Sequence, residues 1–134
     1  MKIKLTLYFL LIGVTVALAQ RSDQTANLFH ALRSDLQLDA EQQQAIDVIE
    51  ARMERNRTEI EPLRQTDLEK YYLKRRALER NTDDSIRLLL RPEQMAVFKR
   101  EIAERRTERN RVRKQLIADG ADPDRIREAT LAIY

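Results

Sequence analysis

Cysteine and tryptophan are both missing from this 134-residue chain. Without cysteine there is no disulfide framework, no thiolate nucleophile or metal ligand, and no lipid-anchored N-terminal cysteine. Glycine is down to Gly13 and Gly120, so a glycine-rich phosphate loop is excluded. Histidine occurs once, as His30. Transition-metal sites draw on several His or Cys side chains, and no metal ligand set is expected here. Ser22, Ser34 and Ser85 have no base beside them in any catalytic motif. The carboxylates alternate with arginines along helical stretches, the pattern of a solvated face. A nucleophile, a base and an oxyanion donor cannot be assembled, so neither catalysis nor a cofactor is expected. Sustained alternation of period two is also missing, and no sheet is expected.

Long apolar runs are missing too, with one exception at the start. Lys2 and Lys4 precede an apolar stretch from Leu5 to Val16, and Ala17-Leu18-Ala19 supplies a small–x–small cleavage sequence. This predicts a signal peptide over 1–19, a mature N-terminus at Gln20 and a periplasmic location. A membrane-spanning helix needs about 20 apolar residues, so no stable membrane insertion is expected after cleavage. The leader would take two lysines with it, and the remaining 115 residues hold 23 basic and 22 acidic side chains. That near balance argues against nucleic acid as a partner.

What is present is charge on helices. Of the 115 residues from Gln20 on, 45 are charged and 43 apolar, too few to fill a thick core and suited to long solvated helices. The fold class expected is all-α: four to five helices in a thin, bent hairpin over 20–134. A homodimer would complete its core.

The punctuation is local. A first helix is predicted from about Ser22 to Arg33 with Leu28 and Leu32 on its apolar face, followed by a connection at Leu36–Leu38. Asp39 with Gln42 three residues later gives a capping-box start for a second helix. Its apolar residues, Ile46, Ile49, Met53, Ile60 and Leu63, follow the 3,4 spacing of a narrow stripe. Pro62 breaks that helix, and Gln65-Thr66-Asp67 offers a restart. A third helix over Asp67–Leu89 carries Leu68, Tyr71 or Tyr72, Leu78, Ile86 and Leu89. Pro92 opens a fourth, whose stripe of Met95, Phe98, Ile102, Val112 and Leu116 is interrupted by Arg105 and Arg109. Gly120 caps it, and Asp122-Pro123 starts a short tail helix ending near Ile133.

Two of these helix starts are alike. Leu38-Asp39-Ala40-Glu41-Gln42 and Leu90-Arg91-Pro92-Glu93-Gln94 both read L-x-x-E-Q. They resemble the repeated LTxxQ motif of the Spy/CpxP family of periplasmic proteins, best over 38–57 and 89–109. The family threonine is replaced by Asp39, which keeps a capping oxygen, and by Arg91, which does not. The motif residues are therefore Leu38, Asp39, Gln42, Leu90, Glu93 and Gln94. The resemblance implies a dimeric cradle that acts without ATP as a chaperone for unfolded or misfolded periplasmic proteins. It also implies an alternative: an envelope-stress or metal-responsive regulator that restrains a sensor kinase.

Charge is unevenly spread. Residues 20–69 hold 6 basic and 11 acidic side chains, 70–91 hold 7 and 3, and 99–114 hold 8 and 3. Part of this pattern is attraction between the acidic half and the basic helices. The functional reading is an arginine-rich client-binding surface made by Tyr71, Tyr72, Lys74, Arg75, Arg76 and Arg80, whose stems and rings cover apolar surface while staying soluble.

Overall fold

The computed structural model describes residues 28–133. The predicted leader, the cleavage site before Gln20 and the expected helix start at Ser22 lie outside the described residues. Among those residues the chain is all-α: 28–35 (α1), Ala40–Ile60 (α2), Leu63–Thr66 (α3), Leu68–Leu89 (α4), Pro92–Ala118 (α5) and Pro123–Ala132 (α6). None of these helices is long and apolar enough to cross a membrane.

Each boundary has a local cause. Asp39 Oδ1 accepts from the Gln42 backbone N–H at 2.8 Å, and Gln42 Oε1 accepts from the Asp39 N–H at 3.2 Å, a reciprocal capping box. At the α5 start only half of that box forms: the Arg91 N–H donates to Gln94 Oε1 at 2.9 Å, and Arg91 offers no oxygen in return. Pro62 follows the end of α2, α3 is a single turn, and Asp67 caps α4 by accepting from the Lys70 N–H at 3.0 Å. α5 ends in a Schellman arrangement. Gly120 lies at φ +70, its N–H donates to Ile117 O at 3.1 Å, and the Ala121 N–H donates to Leu116 O at 2.9 Å. Asp122 then accepts from the backbone of Asp124 and Arg125 to start α6.

Two apolar clusters hold these helices. The larger gathers Phe29, Leu32 and Leu36 with Ile46, Ile49 and Met53 of α2, Leu78 and Ile86 of α4, and Phe98 of α5. Leu36 and Leu38, expected as a mere connection, are buried in it. The smaller joins Tyr71, Tyr72 and Leu131, with Ile60, Leu63 and Leu68 against them. It seats α6 on the far end of α4. α2 and α4 pack closely along their length and α6 lies against α5, whereas the α4 and α5 backbones stand apart.

Arg105 and Arg109, the two interruptions of the α5 stripe, bridge that separation. Arg105 donates to Asp83 at 3.0 Å and Arg109 to Glu79 at 2.8 Å. Both carboxylates are on α4, four residues apart, and they pair with arginines four residues apart in the opposite order, so α4 and α5 run antiparallel. Leucines there could not span the distance; long guanidinium side chains do.

Candidate functional site

The separation of α4 and α5, closed at one end by α6, leaves a groove of about 930 Å³. Its register follows from the two ion pairs. Arg80 and Arg76 on α4 lie across from Arg106 and Arg113 on α5, with Glu79–Arg109 crossing between them. Towards α6 the lining is mostly apolar, with Leu73, Ile117, Pro123, Ile126 and Leu131 beside Arg127 and Thr130. Leu73 and Ile117 are 60% and 56% exposed and line the same groove, so they offer apolar contact side by side.

The groove is electrically one-sided. Glu79 is the acidic side chain that lines it, against Arg76, Arg80, Arg106, Arg109, Arg113 and Arg127. Arg109 is engaged with Glu79 and with the Ile133 carbonyl, and Arg127 with Glu69 and Asp124. Arg76, Arg80, Arg106 and Arg113 have no ion pair or hydrogen bond among the described residues. A cleft walled by one sign of charge focuses potential and draws in the opposite sign. Burial pushes the Glu79 carboxyl above the usual carboxylate range, and the positive charges of Arg109 and Arg75 oppose that shift.

The six residues expected to form one client surface do not share one. Lys74, Arg76 and Arg80 are exposed, and Arg76 and Arg80 line the groove. Tyr71, Tyr72 and Arg75 are only 7%, 5% and 7% exposed. The tyrosine rings lie 5.7 Å apart, tilted to each other, beneath α6, where the Tyr72 hydroxyl donates to Asp124 O at 3.4 Å and Arg127 sits 5.7 Å over the Tyr72 ring. α6 is also fixed by the Arg64–Glu128 ion pair and by Arg127–Glu69 at 2.8 Å. Burial lowers the Arg75 guanidinium pKa, and nearby Arg57 lowers it further. Tyr71 and Tyr72 pack against Leu131 and so hold α6, Arg75 is buried near Arg57 and Glu79, and none of the three lines the groove.

The motif residues also have definite places. Leu38 is buried in the main core, Leu90 packs against it, and Glu93 stands exposed in the first turn of α5, where the helix dipole favours a carboxylate. Gln42 and Gln94 meet each other in the interior. Arg91, which has no capping oxygen, forms an ion pair with Asp39 instead, linking the two motifs. His30 is exposed, and no group of three or more candidate metal ligands forms among the described residues.

Two contributors to the groove, Arg106 and Arg113, lie in the basic 99–114 stretch, but nothing local joined them to Arg76 and Arg80. Their role depends on which helix α5 faces, and that is set by Asp83–Arg105 and Glu79–Arg109. Comparison of the chain with protein-family models, curated proteins and solved structures finds no match.

Proposed function

We propose that this chain is a periplasmic, ATP-independent binder of unfolded or stress-damaged envelope proteins, acting as a homodimer, in keeping with the Spy/CpxP resemblance of its motifs. The observation that carries this reading is the pairing, in one open groove, of four arginines that hold no partner among the described residues with exposed Leu73 and Ile117. Arginines attract an unfolded segment over a distance and their stems shield apolar contacts, while the aliphatic residues hold it once it arrives. Neither part demands a particular sequence, which suits a binder of many clients.

The test is aggregation suppression by the purified protein with two unrelated unfolding clients and no nucleotide. Suppression of both at near-stoichiometric amounts is expected. A chain that protects neither client, but alters the output of an envelope sensor kinase, would have the regulatory role instead. Sedimentation at micromolar concentration tests the dimer, and a monomer across that range would remove the cradle from the proposal.

A further inference from the structure

The groove is polarised along its length, and general client capture does not use that feature. From the α6 end it runs from Leu73, Ile117 and Leu131 to the facing arginines Arg76 and Arg113, and then to Arg80 and Arg106. Four residues of helix separate Arg76 from Arg80, about 6 Å of rise. A lining that is mostly apolar at the α6 end, where Arg127 and Thr130 also face it, and rich in guanidinium groups at the other end suits an amphiphile with an anionic head. We propose that the groove binds a single-chain amphiphile with a phosphate-monoester head, the head among Arg76, Arg80, Arg106 and Arg113 and the acyl chain along Leu73, Ile117 and Leu131.

Two observations and the chemistry of the head group select this occupant. The volume, about 930 Å³, lies within the range of pockets that enclose small ligands. Among the described residues the four arginines form no ion pair, whereas Arg105 and Arg109, on the same face of α5, pair with Asp83 and Glu79. The unpartnered set thus marks where an external anion belongs. A phosphate monoester brings about −1.5 to −2 charge and three acceptor oxygens, matching several planar guanidinium donors better than a single carboxylate. The chain's own segment 20–27 is not the complement, since it holds one arginine and one aspartate.

The test is calorimetric titration of the purified protein with lauroyl lysophosphatidic acid below its critical micelle concentration. No client is present, so the result is independent of whether the protein protects unfolded chains. Saturable binding at one site per chain is expected, weakening as salt is raised. Inorganic phosphate, which lacks the chain, and dodecyl maltoside, which lacks the charge, should each bind at least about tenfold more weakly, the loss of one good set of contacts. Arg76→Gln with Arg113→Gln should weaken binding by about tenfold or more, with circular dichroism unchanged. Dodecyl maltoside binding as tightly as the phosphate amphiphile would reduce the site to apolar contact. Inorganic phosphate binding as tightly would reduce it to an anion site. Tighter binding of dodecanoate would reassign the head to a carboxylate. Each of these, or full affinity in the double variant, overturns the proposal.

Discussion

Gln42 and Gln94 donate to and accept from each other in the interior, at 2.8 and 3.0 Å, across 52 residues of sequence. Each amide also accepts from the N-cap backbone of its own helix, Asp39 or Arg91. Each donates besides to a carbonyl in the chain leading to the other helix: Gln42 to Leu89 O at 2.8 Å and Gln94 to Leu36 O at 3.0 Å. Both amides are thereby fully satisfied while buried. The repeated glutamine ties the starts of α2 and α5 together, so the register of α5, and with it the groove, follows from this knot and the Asp83–Arg105 and Glu79–Arg109 pairs.

Either Gln42→Ala or Gln94→Ala should lower stability by about 1–3 kcal/mol in urea unfolding, because each leaves buried partners unsatisfied. The double variant should cost less than the sum, since both single changes break the same bonds. Strictly additive losses would show that the two amides act independently.

The two caps should differ. Asp39→Ala removes the capping oxygen and the ion pair to Arg91, whereas Arg91→Ala removes only the ion pair, so the first should lower the urea midpoint more. Hydrogen bonding from the Gln42 backbone, aided by Arg91, holds the Asp39 carboxyl below its ordinary range. A depressed carboxyl stabilises the fold above the unfolded value, about 3.9, and that share is lost as pH falls through the folded value. Asp39→Asn still caps but does not titrate. Its difference from the parent should therefore shrink below pH about 4, and a constant difference would contradict the assignment.

Neighbouring aspartates on α4 should behave differently. Asp83 meets Arg105 with side chains 18% and 13% exposed, whereas Asp84 pairs with Arg87 at the surface. Asp83→Ala should cost about 1–3 kcal/mol. Asp84→Ala should fall within the 0–1 kcal/mol typical of surface pairs, measured by the same unfolding curves, roughly at its lower end. Equal effects would mean that Asp83–Arg105 does not set the spacing of α4 and α5.

The helix punctuation was legible because it is local. Asp39 with Gln42, Asp67, Pro92, Gly120 and Asp122-Pro123 each act within four residues, and each stands at the helix end its chemistry implies. The all-α class followed from the same signals. The composition of the site was only half legible. Residues 71–80 read as one basic, aromatic patch, but a helix turns adjacent residues to different faces. Arg75 lies four residues after Tyr71 and four before Glu79, on the buried side, and spacing alone could have separated it from Arg76. Arg106 and Arg113 could not be found this way, because the partner of α5 is fixed by contacts distant in sequence.

Charge should govern how fast clients are caught and the apolar lining how long they stay. Leu73→Ser with Ile117→Ser should speed release with little change in association, read by displacement of a labelled unfolded client. Faster release without loss of helix content is the expected outcome; unchanged release would remove the apolar lining from the account.

On the reading proposed above, the arginine groove captures clients. Its most direct test is stopped-flow association of an unfolded client with the parent and with a variant in which Arg76, Arg80, Arg106 and Arg113 are all changed to Gln, a residue of comparable helix propensity. These side chains hold no partner among the described residues, so the variant should stay folded by circular dichroism. Association should slow by about tenfold or more and lose most of its salt dependence, since screening beyond about 10 Å at 0.1 M salt acts only where charge steers the encounter. A folded variant that captures clients as fast as the parent, with the same salt dependence, would contradict the claim.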